Sequence, residues 1–342
     1  MSDLLFPELS SAPWGEQWGG SLAQLASEGV FVGTSSWKYS GWRGQLYDES
    51  LYRFRGRFSE TRFEQHCLEE YGRWFSTVCV DAAYYTFPSE RFLSGLASQV
   101  RSDFQFSFKV TDQITLCRFP NLRRFGARGG QGNPDFLNAD LFSSAFLKPL
   151  ESIRPQVGLV IFEFAKFHVA DFGDCGEFIT VLERFLKQLP SGWRYGVELR
   201  NRTFLQTEYF DCLHRNGVAH VFNSWDAMPS VGEQLAIPQA FTASFSGARF
   251  LLKPGRKYEE AVEKFRPYSK IVETNAEARQ AALALILQSL REKRGTYIYI
   301  NNRLEGNALG TIAAVVAAVM GARKSFERDA GKMRTEGDRT EK

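Results

Sequence analysis

Short runs of β-branched and aromatic residues recur eight times along the chain, and each run is followed by a segment whose apolar residues have helical spacing. Alternation of this kind predicts parallel strands joined by crossover helices. The predicted strands span residues 30–35, 78–83, 104–109, 157–163, 195–200, 219–223, 249–253 and 297–301.

Two of the intervening segments predict helices with recognisable ends. The first covers residues 61–75, where Thr61 and Glu64 have the spacing of a capping box. The second covers residues 273–293 and is followed by Gly295, a residue type that often ends helices. Both segments are long enough to cover one side of a sheet.

Eight strand and helix units without an internal linker favour a closed (β/α)₈ TIM barrel of the α/β class. The alternative is a doubly wound, Rossmann-like sheet, but the turn after the first strand reads G-T-S-S-W and lacks G-x-G-x-x-G. We therefore predict a single barrel domain over residues 29–322, an N-terminal arm over 1–28 and a mobile charged tail over 323–342.

Composition adds a few limits to this interpretation. The 342-residue chain is 44% hydrophobic and 24% charged, with a formal charge of +3, so no global field attracts polyanions. The five cysteines are scattered and form no C-x-x-C pair, which favours reduced thiols. The N-terminus lacks a secretory signal, and the apolar run 308–320 is too short to span a bilayer. These features predict a cytoplasmic protein without a membrane segment.

The strand pattern also predicts where a site would lie. In a barrel, alternate strand residues face inward, and functional groups collect where the strands end. That rule places five ionisable side chains on inward faces at strand ends, and they are the candidate catalytic residues: Asp81, Lys109, Glu163, Glu198 and Arg200. Because buried charges must pair, the alternative is a salt-bridge network that closes the barrel without catalysis.

Polar and aromatic residues in the loops after the strands are candidate ligand-binding groups. They are Ser35, Trp37, Tyr39, Trp42, Tyr85, Arg118, Lys253, Asn301 and Asn302. Rings beside basic residues suit stacking on bases or sugars, and the loops after strands seven and eight are the usual phosphate position in this fold. The structural alternatives are that the tryptophans pack a loop onto the rim, that the arginine-rich segment after strand three is solvated, and that the asparagines tie loops together.

Several short motifs in this order resemble the YecE-like family, domain of unknown function 72. They are Gly33-Thr-Ser-Ser-Trp37, Phe75-Ser-Thr-Val78, Phe106-x-x-Lys109, Val197-Glu-Leu-Arg200 and Ile300-Asn-Asn302 with Gly306 and Ala308. The resemblance covers roughly residues 30–320. It implies a TIM barrel and no established activity.

The sequence departs from the family pattern at several positions. Where the family usually has Glu-Ile-Asn in strand two, this chain has Cys79-Val-Asp81, which moves the carboxylate along the same face. Leu116 replaces the usual histidine after strand three, Glu163-Phe-Ala165 replaces Gln-Leu-Pro, and Phe204 replaces a tryptophan. The arginine usual in strand seven has no evident match.

Three functions remain open from the sequence. The first is an enzyme or binder that holds or hydrolyses a phosphate-bearing ligand, a nucleotide or nucleic acid, at the C-terminal mouth of the barrel. The second is a glycosidase-like hydrolase that uses Glu163 and Glu198. The third is a non-catalytic binding protein. No cofactor and no metal site are predicted, although the carboxylates could bind Mg²⁺ or Mn²⁺ weakly. The expected partner is an anionic small molecule or nucleic acid.

Overall fold

The computed structural model describes the backbone of residues 13–340 and the side chains of residues 13–326 and 328. Its eight parallel barrel strands are β1 Val30–Thr34, β2 Thr77–Val80, β3 Gln105–Lys109, β4 Val157–Glu163, β5 Tyr195–Glu198, β6 Ala219–Ser224, β7 Phe245–Phe250 and β8 Gly295–Ile300. They form a closed barrel in the order β1-β8-β7-β6-β5-β4-β3-β2. The predicted (β/α)₈ fold is therefore confirmed.

Helices surround the barrel and connect its strands. In chain order they are α1 Trp14–Ser27, α2 Glu60–Trp74, α3 Ala82–Tyr85, α4 Glu90–Ala97, α5 Asp112–Thr115, α6 Ala139–Leu141, α7 Lys148–Leu150, α8 Cys175–Leu186, α9 Thr207–Arg215, α10 Val231–Leu235, α11 Tyr258–Phe265, α12 Ala276–Glu292 and α13 Ala308–Thr340. A short hairpin, Arg53–Phe54 and Arg57–Phe58, lies in the loop after β1.

The barrel interior below the mouth is apolar and closely packed. Cys79, Leu159, Ile161, Val221, Tyr297 and Tyr299 form one buried cluster there. Two inward glycines leave room for these side chains. A Cβ atom at Gly196 would lie 2.6 Å from Val221 Cγ2, and one at Gly247 would lie 2.5 Å from Leu159 Cδ2. Because the interior is filled, only the ends of the barrel are open to a ligand.

Several predicted element boundaries are wrong. The second and fifth strands end at Val80 and Glu198 rather than at residues 83 and 200, and Ala82 already begins α3. β7 covers Phe245–Phe250 rather than residues 249–253. Helix α2 is capped by Ser59, whose side chain accepts a hydrogen bond from Arg62 N, so the proposed Thr61 capping box does not form. Helix α12 begins at Ala276 rather than at residue 273 and ends at Glu292; the next residue, Lys293, has a left-handed backbone, and Gly295 instead begins β8.

The two ends of the chain pack on the barrel through helices. Trp14 of α1 stacks on Phe75 at 5.0 Å and donates from Nε1 to the carbonyl of Leu309 at 2.9 Å. Part of the predicted N-terminal arm is therefore an ordered helix, whereas residues 1–12 lie outside the described residues. The backbone of residues 323–340 continues α13, and the predicted mobility of that tail stays a prediction.

One helical segment has the length and composition of a membrane span. Ala308–Phe326 reaches a mean hydropathy of 1.3 over its most apolar window, of which 56% is buried inside the protein. Ala308, Leu309 and Ile312 have no exposed surface. The segment thus packs as a core helix.

Candidate functional site

Six charged side chains meet at the C-terminal end of the barrel. They comprise the five predicted residues and one that the sequence pattern did not indicate, and three are acidic and three basic: Asp81, Lys109, Glu163, Glu198, Arg200 and Arg249. Strand parity brings them to one place, because each lies in the last two positions of a strand or within two residues after it, with its side chain turned inward. We call this group the mouth network.

Glu163 is the centre of the mouth network. Its Oε2 atom lies 3.1 Å from Lys109 Nζ and 3.1 Å from Arg200 Nη2, and it also accepts from Arg249 Nη1. Burial by itself would raise the pKa of Glu163, but Lys109, Arg200 and Arg249 outweigh it and hold the pKa well below its usual range. Glu163 is therefore an ionised acceptor that organises three cations.

Glu198 lies deeper and has 0% exposed surface. Arg200 Nη2 lies 2.6 Å from its Oε1 atom, and Arg249 Nη1 donates to its Oε2 atom at 2.7 Å. Burial lowers the pKa of Arg249, but Glu198 and Glu163 more than offset this and raise the pKa well above its ordinary value. A buried carboxylate needs a nearby cation to offset its lost hydration. Arg249 supplies that cation and is part of the buried, structural end of the mouth network.

Asp81 forms the outer edge of the mouth network. Its side chain is 34% exposed, with Oδ1 lying 3.9 Å from Lys109 Nζ and 3.5 Å from Arg249 Nη2. It also lines a cavity of about 550 Å³ between α2 and α4, together with Ser36, Trp37 and Lys38, and none of the other five network residues lines this cavity. The mouth network therefore extends from the fully buried Glu198 to Asp81, whose carboxylate solvent and ligands can reach.

Arg249 was missed because the sequence analysis placed it at the start of strand seven. In the structure it is the fifth residue of β7, with Asn223 of β6 and Tyr299 of β8 as its register partners. The charges of the five predicted site residues could have indicated that a cation was missing. The five predicted residues contain three carboxylates and two cations, so a buried network required one more positive group.

Several polar atoms around the mouth have no hydrogen-bond partner among the described residues. Four of them can donate, and they are buried: Arg200 Nη1, Arg249 Nε, Ser35 Oγ and Asn302 Nδ2. Buried polar groups are rarely left unsatisfied, so such atoms mark positions where a ligand, ion or water supplies the missing partner. Two buried acceptors at the same level, Glu198 Oε1 and Asn223 Oδ1, also have no hydrogen-bond partner among the described residues, so a ligand there would meet donors and acceptors together.

The loop after β1 packs closely onto the barrel rim. Trp42 is fully buried, and its Nε1 atom donates to Asn302 Oδ1 at 3.2 Å. Trp37 is also buried, with its carbonyl accepting from Tyr47 at 2.5 Å, whereas Tyr39 is half-buried beside Trp42. This geometry fits the packing alternative for Trp42, and the ligand-binding predictions for Trp37 and Tyr39 stay predictions.

The other predicted ligand residues do not all face the mouth. Arg118 pairs with Asp171 at 3.1 Å, and the exposed Lys253 lies 3.3 Å from Glu273, so each has a partner outside the mouth network. Two more are asparagines with loop-tying roles. Asn301 Oδ1 accepts from Arg303 N at 2.9 Å, and Asn302 Oδ1 accepts from Ala308 N at 2.7 Å. Tyr85 is 62% exposed.

The departures from the family pattern have clear structural roles. Cys79 lies below Asp81 in the apolar interior, where burial raises the pKa of its thiol to about 12, so it is not poised as a nucleophile. Leu116 packs with Phe119 and Phe125 in a small cluster of the loop after β3. Neither residue supplies a reacting group.

A metal site would have to compete with this arrangement. Within residues 13–340, no group of three or more His, Cys, Asp or Glu side chains is arranged to hold a metal ion. Asp81, Glu163 and Glu198 each contact a cation of the protein, so a divalent ion would have to displace an arginine or lysine. The weak Mg²⁺ or Mn²⁺ site stays a prediction.

Comparisons with known proteins agree with the fold. Residues 31–335 match the family described as "Protein of unknown function DUF72". A DUF72 family protein from Thermotoga maritima MSB8 is 18% identical, with a TM-score of 0.53, covering 87% of this chain and 99% of its own. One from Enterococcus faecalis V583 is 17% identical, with a TM-score of 0.54, covering 76% and 94%. No curated protein matches the sequence. The chain therefore belongs to the DUF72 family.

Proposed function

We propose that the mouth network binds an anionic, phosphate-bearing ligand such as a nucleotide or nucleic acid. The observation that carries this proposal is the geometry of Arg200. One nitrogen, Nη2, contacts Glu163 and Glu198, while Nη1 is buried at the site without a hydrogen-bond partner among the described residues. An arginine fork with one free arm can bind a phosphate without breaking its existing pairs.

The charge balance of the network supports the same conclusion. Three carboxylates and three cations cancel, so the network neither attracts nor repels an anion by net charge alone. Selectivity then comes from hydrogen bonding, and the free donors of Arg200, Arg249 and Ser35 offer sites to an acceptor. The Arg200 guanidinium lies 4.0 Å from the centre of the Trp225 ring, which fixes its plane.

We further propose that the mouth network hydrolyses a phosphate ester. Asp81 is the carboxylate for this role, because it is the most exposed of the three and makes the longest ion pairs. Water would attack phosphorus while the ester P–O bond breaks, Asp81 would take the proton from water, and the leaving oxygen would take one from solvent. Lys109 and Arg200 would stabilise charge on the phosphoryl oxygens.

The glycosidase alternative is less well supported. Glu163 Oε2 and Glu198 Oε1 lie 3.1 and 2.6 Å from the same nitrogen, Arg200 Nη2, so they are at most 5.7 Å apart. That spacing fits a retaining enzyme better than an inverting one, which needs about 6.5 to 9.5 Å. However, one carboxyl must be protonated at the start of the reaction, and the cations around Glu163 keep its pKa low.

We also propose that the protein is cytoplasmic. The five cysteines are all free thiols in the structure, and four of them are buried. This supports the cytoplasm, where thiols stay reduced.

Isothermal titration with inorganic phosphate, a nucleoside monophosphate and the matching nucleoside tests the proposal. We expect the two phosphate-bearing ligands to bind at low salt, the nucleoside to bind poorly, and Arg200→Met to weaken binding about tenfold or more. Arg184→Met is the matched control, because Arg184 is an exposed arginine on α8. Absence of phosphate-dependent binding at low salt would contradict the proposal.

A further inference from the structure

A band of arginine and aromatic side chains runs outward from the mouth network along the loops after β2 and β3. We call it the arginine–aromatic strip, and it consists of Tyr84, Tyr85, Phe119, Arg123, Arg124, Phe125 and Arg128. It borders a cavity of about 440 Å³, which lies between the two loops.

The strip is physically continuous with the mouth. Lys109 Nζ lies 4.0 Å from the centre of the Tyr84 ring, which packs edge-on against Tyr85 at 5.3 Å. Arg124 Cζ in turn lies 5.1 Å from the Tyr85 ring and 4.2 Å from the Phe125 ring. A ligand that enters the mouth can therefore continue along the strip without leaving a surface of cations and rings.

The strip is also basic. No Asp or Glu occurs between Asp112 and Asp135, a stretch that contains the three arginines of the strip and Arg118, which pairs with Asp171. Asp112 is mostly buried and pairs with Arg124, so it does not present a free negative charge. Arg123 is exposed without an ion pair among the described residues, and Arg128 is exposed against the rings of Phe119 and Phe125. This surface suits a ligand with several negative charges.

Tyr85 gives the strip its second chemical property. The ring is 62% exposed and borders the cavity between the two loops, so it can be reached by a ligand there. A flat ring flanked by a guanidinium is a stacking platform for a base, and the neighbouring arginines can contact the phosphates. Bases inside a duplex are not available for stacking in this way.

We propose that the arginine–aromatic strip binds single-stranded nucleic acid and leads it toward the mouth network. The role of the mouth rests on the function proposed above, whereas binding along the strip can be tested separately. We expect the strip to bind without sequence preference, because every nucleotide offers a base for stacking and a phosphate for contact.

Fluorescence anisotropy with labelled ten-nucleotide RNA and DNA single strands, and with the corresponding duplexes, is the direct test. The variants are Tyr85→Ala and Arg128→Met, with Phe54→Ala and Arg184→Met as controls at an exposed ring and an exposed arginine elsewhere. We expect Tyr85→Ala to weaken single-strand binding about tenfold. Arg128→Met should reduce the salt dependence by about 0.7 in the slope of log K against log salt. The RNA and DNA arms show which of the two sugars binds more tightly.

The outcomes separate the two proposals. Single-strand binding that Tyr85→Ala weakens, with nucleoside monophosphate binding unchanged, supports the strip. Nucleotide binding without any preference for single strands, or single-strand binding that Tyr85→Ala leaves unaltered, overturns the strip and leaves the mouth proposal standing. Single-strand binding that Tyr85→Ala weakens but Arg200→Met leaves unchanged supports the strip and argues against ligand binding at the mouth network. An acidic phosphopeptide that binds as tightly as the oligonucleotides would also overturn the strip.

Discussion

Arg249 Nη1 lies 2.7 Å from Glu198 Oε2, at a depth where Glu198 has no exposed surface. The same nitrogen donates to Glu163, so one guanidinium joins the carboxylates of two neighbouring strands. This contact holds the lower half of the mouth network together. It leaves Arg200, Lys109 and Asp81 as the groups nearer the opening.

Removal of the Arg249 guanidinium should destabilise the fold strongly. Arg249→Met leaves Glu198 with Arg200 as its remaining cation, and breaking a buried pair typically costs about 3–5 kcal/mol. Urea unfolding monitored by circular dichroism measures the loss. Arg249→Lys, which keeps the charge, should lose less. A decrease below about 1 kcal/mol for Arg249→Met would show that the network does not depend on this residue.

Glu163 should make stability depend on pH in the acid range. Its pKa is lowered in the folded state, so its contribution is complete above the unfolded value near 4.5 and is lost as the pH falls through the folded value. We expect the difference in unfolding free energy between wild type and Glu163→Gln to shrink as the pH is lowered from 6 to 3. A difference that stays constant over this range would contradict the assigned pKa shift.

His220 should stay neutral well below neutral pH. Burial lowers its pKa to about 4, although the hydrogen bond with Gln234 partly opposes the shift. Since the unfolded imidazole titrates near 6.5, this residue stabilises the fold fully above that pH and progressively less toward pH 4. An NMR titration of the ring protons should give a midpoint near 4. A midpoint near 6.5 would show that the imidazole is accessible to water.

The barrel interior should not tolerate a methyl group at Gly247. The new Cβ would lie 2.5 Å from Leu159 Cδ2, and overpacking of this kind costs about 1–3 kcal/mol. Shortening the neighbour should relieve the clash, so Gly247→Ala should cost less in a Leu159→Ala background. A double-mutant cycle of urea unfolding measures the coupling. Additive effects would indicate that the two positions do not touch.

The sequence was sufficient to predict the closed barrel and the convergence of Asp81, Lys109, Glu163, Glu198 and Arg200. Both follow from alternation, because strand periodicity decides which side chains face inward. Arg249 was misplaced because Phe250, Leu251 and Leu252 form the most apolar run nearby, whereas the true strand includes Ser246, Gly247 and Ala248. Pairing on both sides with β6 and β8 outweighs the weak strand propensity of those three residues.

The arginine–aromatic strip could not be predicted in the same way. Tyr85 and Arg124 belong to loops after different strands, and their contact depends on how each loop folds back onto the barrel. Loop conformation has no periodicity from which a sequence pattern could be read. The unpartnered Nη1 atom of Arg200 could not be predicted either. Whether this atom has a partner depends on which donors Glu163 and Glu198 contact in the folded protein.

A crystal structure at low salt with a nucleoside monophosphate tests the central claim most directly. We expect phosphate density at the mouth of the barrel, with an oxygen about 2.7–2.9 Å from Arg200 Nη1 and another near Lys109 Nζ. Density for the phosphate at any other position, or an empty mouth at a saturating ligand concentration, would contradict the account.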